Sequence, residues 1–165
     1  MIVSFESLLE LARKLMITIE YQDLHHEQHF ALDGYADAEK KLIVLDLSLK
    51  DYPRHHKCVL AEEIGHIIFP PRPGHIAYHM RGYHKMDHHS RSNIKAIVSQ
   101  DERKALRWAT SILIPDAALR AAEKNSVNSI DDLVEWFDVE KWFMLFRLDY
   151  YRQRIGENNV ELLSE

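Results

Sequence analysis

The sequence between Pro53 and Pro70 predicts one helix with two chemically different faces. This segment constrains the fold more than any other segment of the sequence does. Proline is favoured in the first turn of a helix, and the proline cluster that follows the segment ends it. On a helical wheel with Glu62 at zero, His66 falls at about 40° and Glu63 at about 100°. The opposite side of the wheel carries the apolar residues Leu60, Ala61, Ile64, Ile67 and Ile68. We therefore expect one face to pack in the core, while the other presents two carboxylates and an imidazole together.

The pattern E-E-x-x-H on the polar face resembles the zinc-peptidase motif H-E-x-x-H. In that motif, the residues at i and i+4 hold the metal, and the glutamate between them takes a proton from the metal-bound water. Here Glu63 and His66 are present, and Glu62 stands in the place of the first histidine. A carboxylate can ligate zinc, so the geometry is retained with a harder and more negative ligand set. The alternative is an exposed helix face with no metal.

A second predicted helix, residues 93–114, offers a third candidate ligand. Glu102 lies near the middle of its apolar stripe, within about 80° of these residues: Ile94, Val98, Ala105, Leu106, Ala109, Ile112 and Leu113. A buried carboxylate is costly unless it is paired or coordinates a metal. An internal ion pair is therefore the alternative. Two helices that deliver Glu62, His66 and Glu102 together would meet the requirement of a three-ligand catalytic zinc site.

The remaining patterns predict strands before these two helices and further helices after them. Ser4 is expected to cap a first helix that runs to about Lys14. The alternating residues 16–21 predict a strand, and residues 34–48 predict a hairpin with its turn at 37–40. After the second helix, helical patterns occupy residues 116–124, 129–137 and 139–154.

The composition excludes several classes of protein. The chain has 165 residues, of which 46% are hydrophobic, and this fits one globular domain or one domain with a small appendage. Cys58 is the only cysteine, so no disulfide framework can form, and we expect a reducing compartment, the cytoplasm. We expect neither a signal peptide nor a membrane span, because no apolar run approaches roughly 20 residues. The net charge of −5 gives no reason to expect general nucleic-acid binding.

Three segments together resemble the ImmA/IrrE family of zinc-peptidase-like proteins of bacteria, phages and mobile elements. The first runs from Gly34 to Ser48, and the second is Lys57-Cys-Val-Leu-Ala-Glu-Glu-Ile-Gly-His66. The third is Gln100-Asp-Glu-Arg-Lys-Ala-Leu-Arg-Trp-Ala109, which leads into Leu113-Ile-Pro115. Spacing and order agree with the family pattern over roughly residues 5–155.

The resemblance implies an α+β fold. A small antiparallel or mixed sheet of about three strands would pack on a zincin-like active-site helix, and a helical C-terminal part would follow. Residues 1–125 would form the zinc-peptidase-like domain, and residues 126–165 would form a helical subdomain packed on it.

The resemblance also implies a divalent metal held by Glu62, His66 and Glu102, with Glu63 as the general base that activates a metal-bound water. Zn²⁺ is the expected ion, and Mn²⁺ or another hard divalent metal also suits three carboxylates. Members of the family act on helix-turn-helix repressors, so a repressor of a phage or mobile element is the expected partner. Direct DNA binding is less expected than repressor binding, and no membrane contact is expected. The alternative is a non-catalytic regulator of the same fold that binds a repressor or DNA.

Two further segments leave alternatives open. Residues 70–92 hold five of the 11 histidines and could form a lid, supply a metal ligand, stabilise an oxyanion, or be a mobile solvated loop. Residues 130–148 have the rhythm of a helix-turn-helix, but residues 139–151 offer only Lys141 and Arg147 for base contacts. We therefore expect core packing or a partner surface for the aromatic residues Trp136, Trp142, Phe143 and Phe146.

Overall fold

The computed structural model describes residues 3–27, 32–70, 77–80 and 100–161. The α-helices in these ranges are α1 (Phe5–Lys14), α2 (Leu24–Glu27), α3 (Pro53–Ile68), α4 (Gln100–Leu113), α5 (Asp116–Lys124), α6 (Ile130–Phe137) and α7 (Lys141–Glu161). The strands are β1 (Thr18–Gln22), β2 (Leu32–Asp37), β3 (Leu42–Asp46) and β4 (Ala77–Met80). A 3-10 helix, Leu47–Asp51, links β3 to α3. None of the helices in the described ranges combines the length and the apolar composition that crossing a bilayer requires.

The strands form a mixed sheet in the order β1-β3-β2-β4, which confirms the α+β class. β1 runs parallel to β3, whereas β2 runs antiparallel to both β3 and β4. The sheet has one strand more than the roughly three that we expected. The additional strand, β4, lies within the predicted loop 70–92 and pairs with β2, where Tyr78 is in register with Tyr35. Four residues are too few to show the alternating pattern of a strand, so only the partner strand reveals it.

Local sequence signals set the ends of several elements where we expected them. The Ser4 hydroxyl oxygen accepts a hydrogen bond of 3.2 Å from a backbone N–H in the first turn of α1. Ser129 caps α6 in the same way and accepts from the N–H of Asp132 at 3.1 Å. In the turn between β2 and β3, Asp37 accepts from the N–H of Lys40 at 3.1 Å. These bonds confirm the predicted first helix and the hairpin, and they place the start of α6 within the predicted helix 129–137.

α3 is the central element of the core. It packs against α4 on one side and against β2 and the rest of the sheet on the other. One cluster of buried apolar residues extends from Leu8 in α1 to Met144 in α7. The packing is therefore continuous across the predicted division between residues 125 and 126.

Four charged side chains, which we call the ion-pair cluster, join the start of α3 to the end of α6. Arg54 donates to both carboxylate oxygens of Glu135, at 2.8 and 2.9 Å, and to Asp138 at 3.1 Å. Lys57 is buried, and its Nζ lies 2.8 Å from Oδ2 of Asp138. Asp138 ends α6 in the left-handed region, with φ of 51°. The cluster fixes the helical C-terminal part to the helix that carries the candidate site.

Candidate metal centre

The face of α3 that carries the candidate site is buried. Glu63 is 0% exposed and His66 is 2% exposed, while Glu62 is half-buried. An exposed helix face, the alternative considered from the sequence, is therefore wrong for Glu63 and His66. On the opposite face Ile67 and Ile68 are only partly buried. The other apolar residues predicted for that face are fully buried: Leu60, Ala61 and Ile64.

Burial of ionisable groups on this face needs a physical reason. Removing an ionised side chain from water costs several kcal/mol unless hydrogen bonds, an opposite charge or a metal compensates it. Glu62 and His66 lie four residues apart, about 6 Å along one face of the helix, so their side chains can meet at one cation. Carboxylate oxygen and imidazole nitrogen are both donors that zinc accepts. The residues of α3 thus fit two ligands of a divalent metal, with Glu63 beside them.

The contact between α3 and α4 is close at Gly65. A Cβ atom at this position would lie 2.6 Å from the backbone oxygen of Ala105 and 3.0 Å from its carbonyl carbon. Cβ atoms do not approach backbone atoms so closely, so this separation of the two helices requires glycine. Ala105 is itself fully buried. Small residues on both helices therefore bring the backbone next to His66 against α4.

Glu102 lies on α4 one turn before Ala105, and the two positions share a face of that helix. The predicted apolar stripe is confirmed in this part of α4, because Ala105 and Ala109 are fully buried while Arg103 and Lys104 are exposed. Position 102 is thus on the side of α4 that contacts α3. Of Glu102 itself the structure describes the backbone, so its role as a third ligand stays a prediction.

One of the three predicted ligands, Glu102, has a side chain that is not among those the structure describes. Among the described ones, no group of three His, Cys, Asp or Glu residues could hold a metal ion. The predicted set needs the carboxylate of Glu102 in addition to Glu62 and His66, and that carboxylate lies outside the described atoms. Ile94 and Val98, the first residues of the predicted stripe, also lie outside the described residues.

Most of the histidine-rich segment lies outside the described residues as well. This applies to His75, His84, His88 and His89. The backbone of His79 is described, lies in β4 and is in register with Gly34 of β2. The roles considered for residues 70–92, as a lid, a ligand or an oxyanion donor, therefore stay predictions.

A histidine–aspartate network at the start of α3 was not anticipated from the sequence. The carboxylate of Asp33 is fully buried, and Nε2 of His55 lies 2.8 Å from its Oδ2. Nε2 of His25 lies 3.7 Å from Oδ1 of the same carboxylate, and Nδ1 of His25 lies 3.3 Å from Asp46. Asp46 in turn accepts bonds from two backbone N–H groups at 2.9 Å. The network joins α2, the sheet and α3 at one end of the sheet.

This network is separate from the predicted ligand set. His55 precedes Glu62 by seven residues, which is about 10 Å along the axis of α3. Asp33 lies at a β-bulge, where the pairing of β2 with β4 changes register. Bulges often re-aim a side chain, and a single sequence does not reveal them. The only sequence signal for this network is the group of histidines at positions 25, 26 and 29, of which His25 lies in the short helix α2.

His56 is a core histidine with no part in the site. Burial, followed by the charges of Lys50 and His55, lowers the pKa of His56 to about 4. Its Nε2 lies 3.0 Å from the hydroxyl of Tyr21, and its ring lies against Phe5, with the centroids 4.4 Å apart. His56 is therefore neutral at pH 7.

The aromatic residues of the C-terminal helices are divided between core and surface. Phe143 is fully buried, and Trp142 packs edge-on against it with centroids 5.3 Å apart. Trp136 is 43% exposed. The expected core packing is confirmed for Phe143 and Trp142.

Comparison with known proteins agrees with this architecture. A family model, Peptidase_M78, described as the IrrE N-terminal-like domain, matches residues 12–149. The matched range includes α3 and α4 with the positions of all four candidate site residues. No curated protein and no solved structure matches the chain. Because the match covers most of its length, the chain belongs to the Peptidase_M78 family of IrrE N-terminal-like domains, which have a metallopeptidase-like fold.

Proposed function

We propose that the protein is a metal-dependent peptidase that acts on a helix-turn-helix repressor of a phage or mobile element. One observation carries the catalytic part of this proposal: Glu63 and His66 are buried beside Glu62 at the contact of α3 with α4. Ionisable groups that a fold keeps away from water are concentrated at functional sites. Membership of a peptidase-like family supports the same class of reaction. With a single, unpaired cysteine, the protein suits a reducing compartment, and we place its action in the cytoplasm.

Each candidate residue has a distinct role in this proposal. Glu62, His66 and Glu102 would hold a divalent metal through two carboxylates and one imidazole. When bound, the metal would polarise the scissile carbonyl and lower the pKa of a nearby water molecule. Glu63 would accept the proton of that water and deliver it to the leaving amine. Zn²⁺ is the expected ion, and the second carboxylate makes Mn²⁺ a better candidate than it is at a two-histidine site.

Metal binding is the first test. Purified protein would be stripped with a chelator, reloaded with Zn²⁺ or Mn²⁺ and analysed for bound metal by mass spectrometry. We expect stoichiometric metal in the wild type and a loss of affinity of at least about tenfold in Glu62→Gln and in His66→Gln. Glu123→Gln removes an exposed carboxylate from α5 and serves as the matched control. If the wild type binds neither ion, the proposed centre is wrong.

The second test separates proton transfer from metal binding. Glu63→Gln is nearly isosteric, so we expect it to retain the metal. Its cleavage of a proteome-derived peptide library, scored by mass spectrometry, should fall by at least about 100-fold, because general bases contribute this much or more. Undiminished cleavage by Glu63→Gln would show that Glu63 is not the base.

A non-catalytic regulator of the same fold is the second candidate function. It is favoured by Glu62, which stands where the peptidase motif has a histidine ligand. In this case the wild type would cleave no peptide in the library. Glu63→Gln and the wild type would then relieve a helix-turn-helix repressor equally, by binding alone.

A further inference from the structure

Three arginines surround a single carboxylate where α4, α5 and α7 meet. Asp116 accepts a hydrogen bond from Nη2 of Arg147, and its Oδ2 lies 3.1 Å from Nη2 of Arg154. Partial burial acts to raise the pKa of Asp116, but the hydrogen bond and charge of Arg147, with the charges of Arg154 and Arg120, lower it overall. Asp116 is therefore ionised at pH 7. Three guanidiniums and one carboxylate leave an excess of two positive charges in this group.

A fourth arginine joins the group through the ring of Tyr150. Cζ of Arg107 lies 4.8 Å from the centroid of this ring, and Cζ of Arg154 lies 5.8 Å from the same centroid. Arg107 belongs to α4 and Arg154 to α7, so two helices hold their guanidiniums at one ring. When the flat face of a guanidinium lies against an aromatic ring, the N–H groups at the edge of the guanidinium remain able to donate to another group.

Arg107, Arg120 and Arg154 reach the solvent, and we call them the arginine surface. Arg154 is 45% exposed, Arg120 is exposed and Arg107 is half-buried. Beneath them, Arg147 is 0% exposed, and its Nη1 has no hydrogen-bond partner among the residues that the structure describes. Nε of Arg147 donates to the backbone oxygen of Ile114 at 2.8 Å, so Nη1 is the buried donor of this side chain that the described acceptors leave unsatisfied. Arg107 lies about 200° around α4 from Ala105, so the surface is on the side of α4 away from α3.

We infer that the arginine surface binds a carboxylate-rich segment of a partner protein. The positive charges of this group exceed the single negative charge of Asp116, and a further anion between the guanidiniums would reduce the remaining repulsion. Planar guanidiniums bind carboxylates through paired hydrogen bonds. The chain as a whole has a net charge of −5. Its long-range field therefore opposes a long polyanion such as DNA, whereas a short acidic segment meets mainly the local positive charge.

This interaction goes beyond the proposed peptidase activity and requires no metal. The probe is a fluorescein-labelled hexaglutamate peptide, which is titrated with the metal-free full chain at low salt while fluorescence anisotropy is recorded. The test variant is Arg107→Gln/Arg154→Gln, which removes two charges and retains the Arg147–Asp116 pair. We expect its Kd to be at least about tenfold higher than that of the wild type, and salt above about 0.2 M to reduce this difference.

The matched control is Arg13→Gln/Arg152→Gln, which removes two exposed arginines that lie outside the arginine surface. Its Kd should stay within about twofold of the wild-type value. Circular dichroism would check that each variant is folded. If Arg107→Gln/Arg154→Gln does not fold, Arg107→Glu replaces it, because Arg107 does not contact Asp116, and the same tenfold rise in Kd is expected.

Three outcomes would overturn the inference. The wild type could fail to bind hexaglutamate, or the test variant could bind it as tightly as the wild type does. A duplex DNA of about 20 base pairs could also bind more tightly than the peptide, with a steep salt dependence, and would then identify nucleic acid as the partner. A loss of affinity confined to the test variant would support the inference.

Discussion

Replacing Gly65 by alanine tests the contact on which the candidate metal centre depends. The added Cβ would lie 2.6 Å from the backbone oxygen of Ala105. This is about 0.7 Å closer than an ordinary C···O contact of about 3.3 Å. A backbone oxygen cannot rotate away, so α4 as a whole must shift.

The expected magnitude follows from two opposing terms. Alanine is favoured over glycine in a helix interior by about 1 kcal/mol. Overpacking of a core costs about 1–3 kcal/mol, and a clash between two backbones belongs at the upper end. We therefore expect Gly65→Ala to lower the free energy of unfolding by about 2 kcal/mol, as the difference of these terms.

Gly156→Ala is the matched control. Gly156 is also helical, but it is exposed, and a Cβ there would meet no heavy atom of the described residues within 4 Å. It should gain about 0.5–1 kcal/mol from helix propensity. Urea unfolding, followed by tryptophan fluorescence, should therefore separate the two variants by roughly 3 kcal/mol. We also expect weaker Zn²⁺ binding by Gly65→Ala alone. If Gly65→Ala unfolds at the wild-type urea midpoint or above it, the reasoning about this contact is wrong.

Three other buried groups provide tests of their own. The pKa of His56 is about 4 in the fold and about 6.5 when unfolded, so the unfolded chain binds more protons and stability falls as the pH drops through this window. Urea unfolding at about pH 7 and at about pH 4.5 gives the loss of unfolding free energy over this range. The loss should be smaller in His56→Phe than in the wild type, by up to about 2 kcal/mol, and equal losses in the two proteins would contradict this. Asp138→Asn leaves the Lys57 ammonium buried without its carboxylate and should lower the free energy of unfolding by about 2 kcal/mol in the same assay. Adding Lys57→Met to this variant should restore most of the lost stability, and no recovery would mean that the ion pair is not the cause. Burial raises the pKa of the Cys58 thiol, so mass spectrometry should detect alkylation by iodoacetamide only after denaturation, and labelling of the native protein would refute this burial.

The sequence predicts the elements whose signals are local. α3 and α4 have apolar residues at helical spacing, and this pattern places Glu63 and Ala105 on the faces where the structure has them. Ser4 and Ser129 mark helix starts, because a side-chain oxygen that caps a first turn is recognised within three residues. The burial of Glu63 and His66 was harder to predict from the sequence, because a polar helix face usually lies in water.

What the sequence does not predict arises from pairings between distant residues. Asp33 meets His55 across 22 positions, and the β-bulge at Asp33 has no signature in one sequence. Arg107 and Tyr150 come together only because α7 packs against α4. The net charge is a sum over the whole chain, so a value of −5 gives no information about a local basic surface such as the one formed by three arginines.

The ion-pair cluster also bears on when the candidate site can assemble during synthesis. Lys57 leaves the ribosome 81 residues before Asp138, the residue that neutralises it. At about 5–20 residues per second, this interval lasts at least about 4 s. Until then α3 carries an uncompensated lysine and lacks its contacts with α6, so we expect nascent chains arrested before residue 138 to be sensitive to protease around α3. On the proposed function, a chain that is still unfinished would therefore lack peptidase activity.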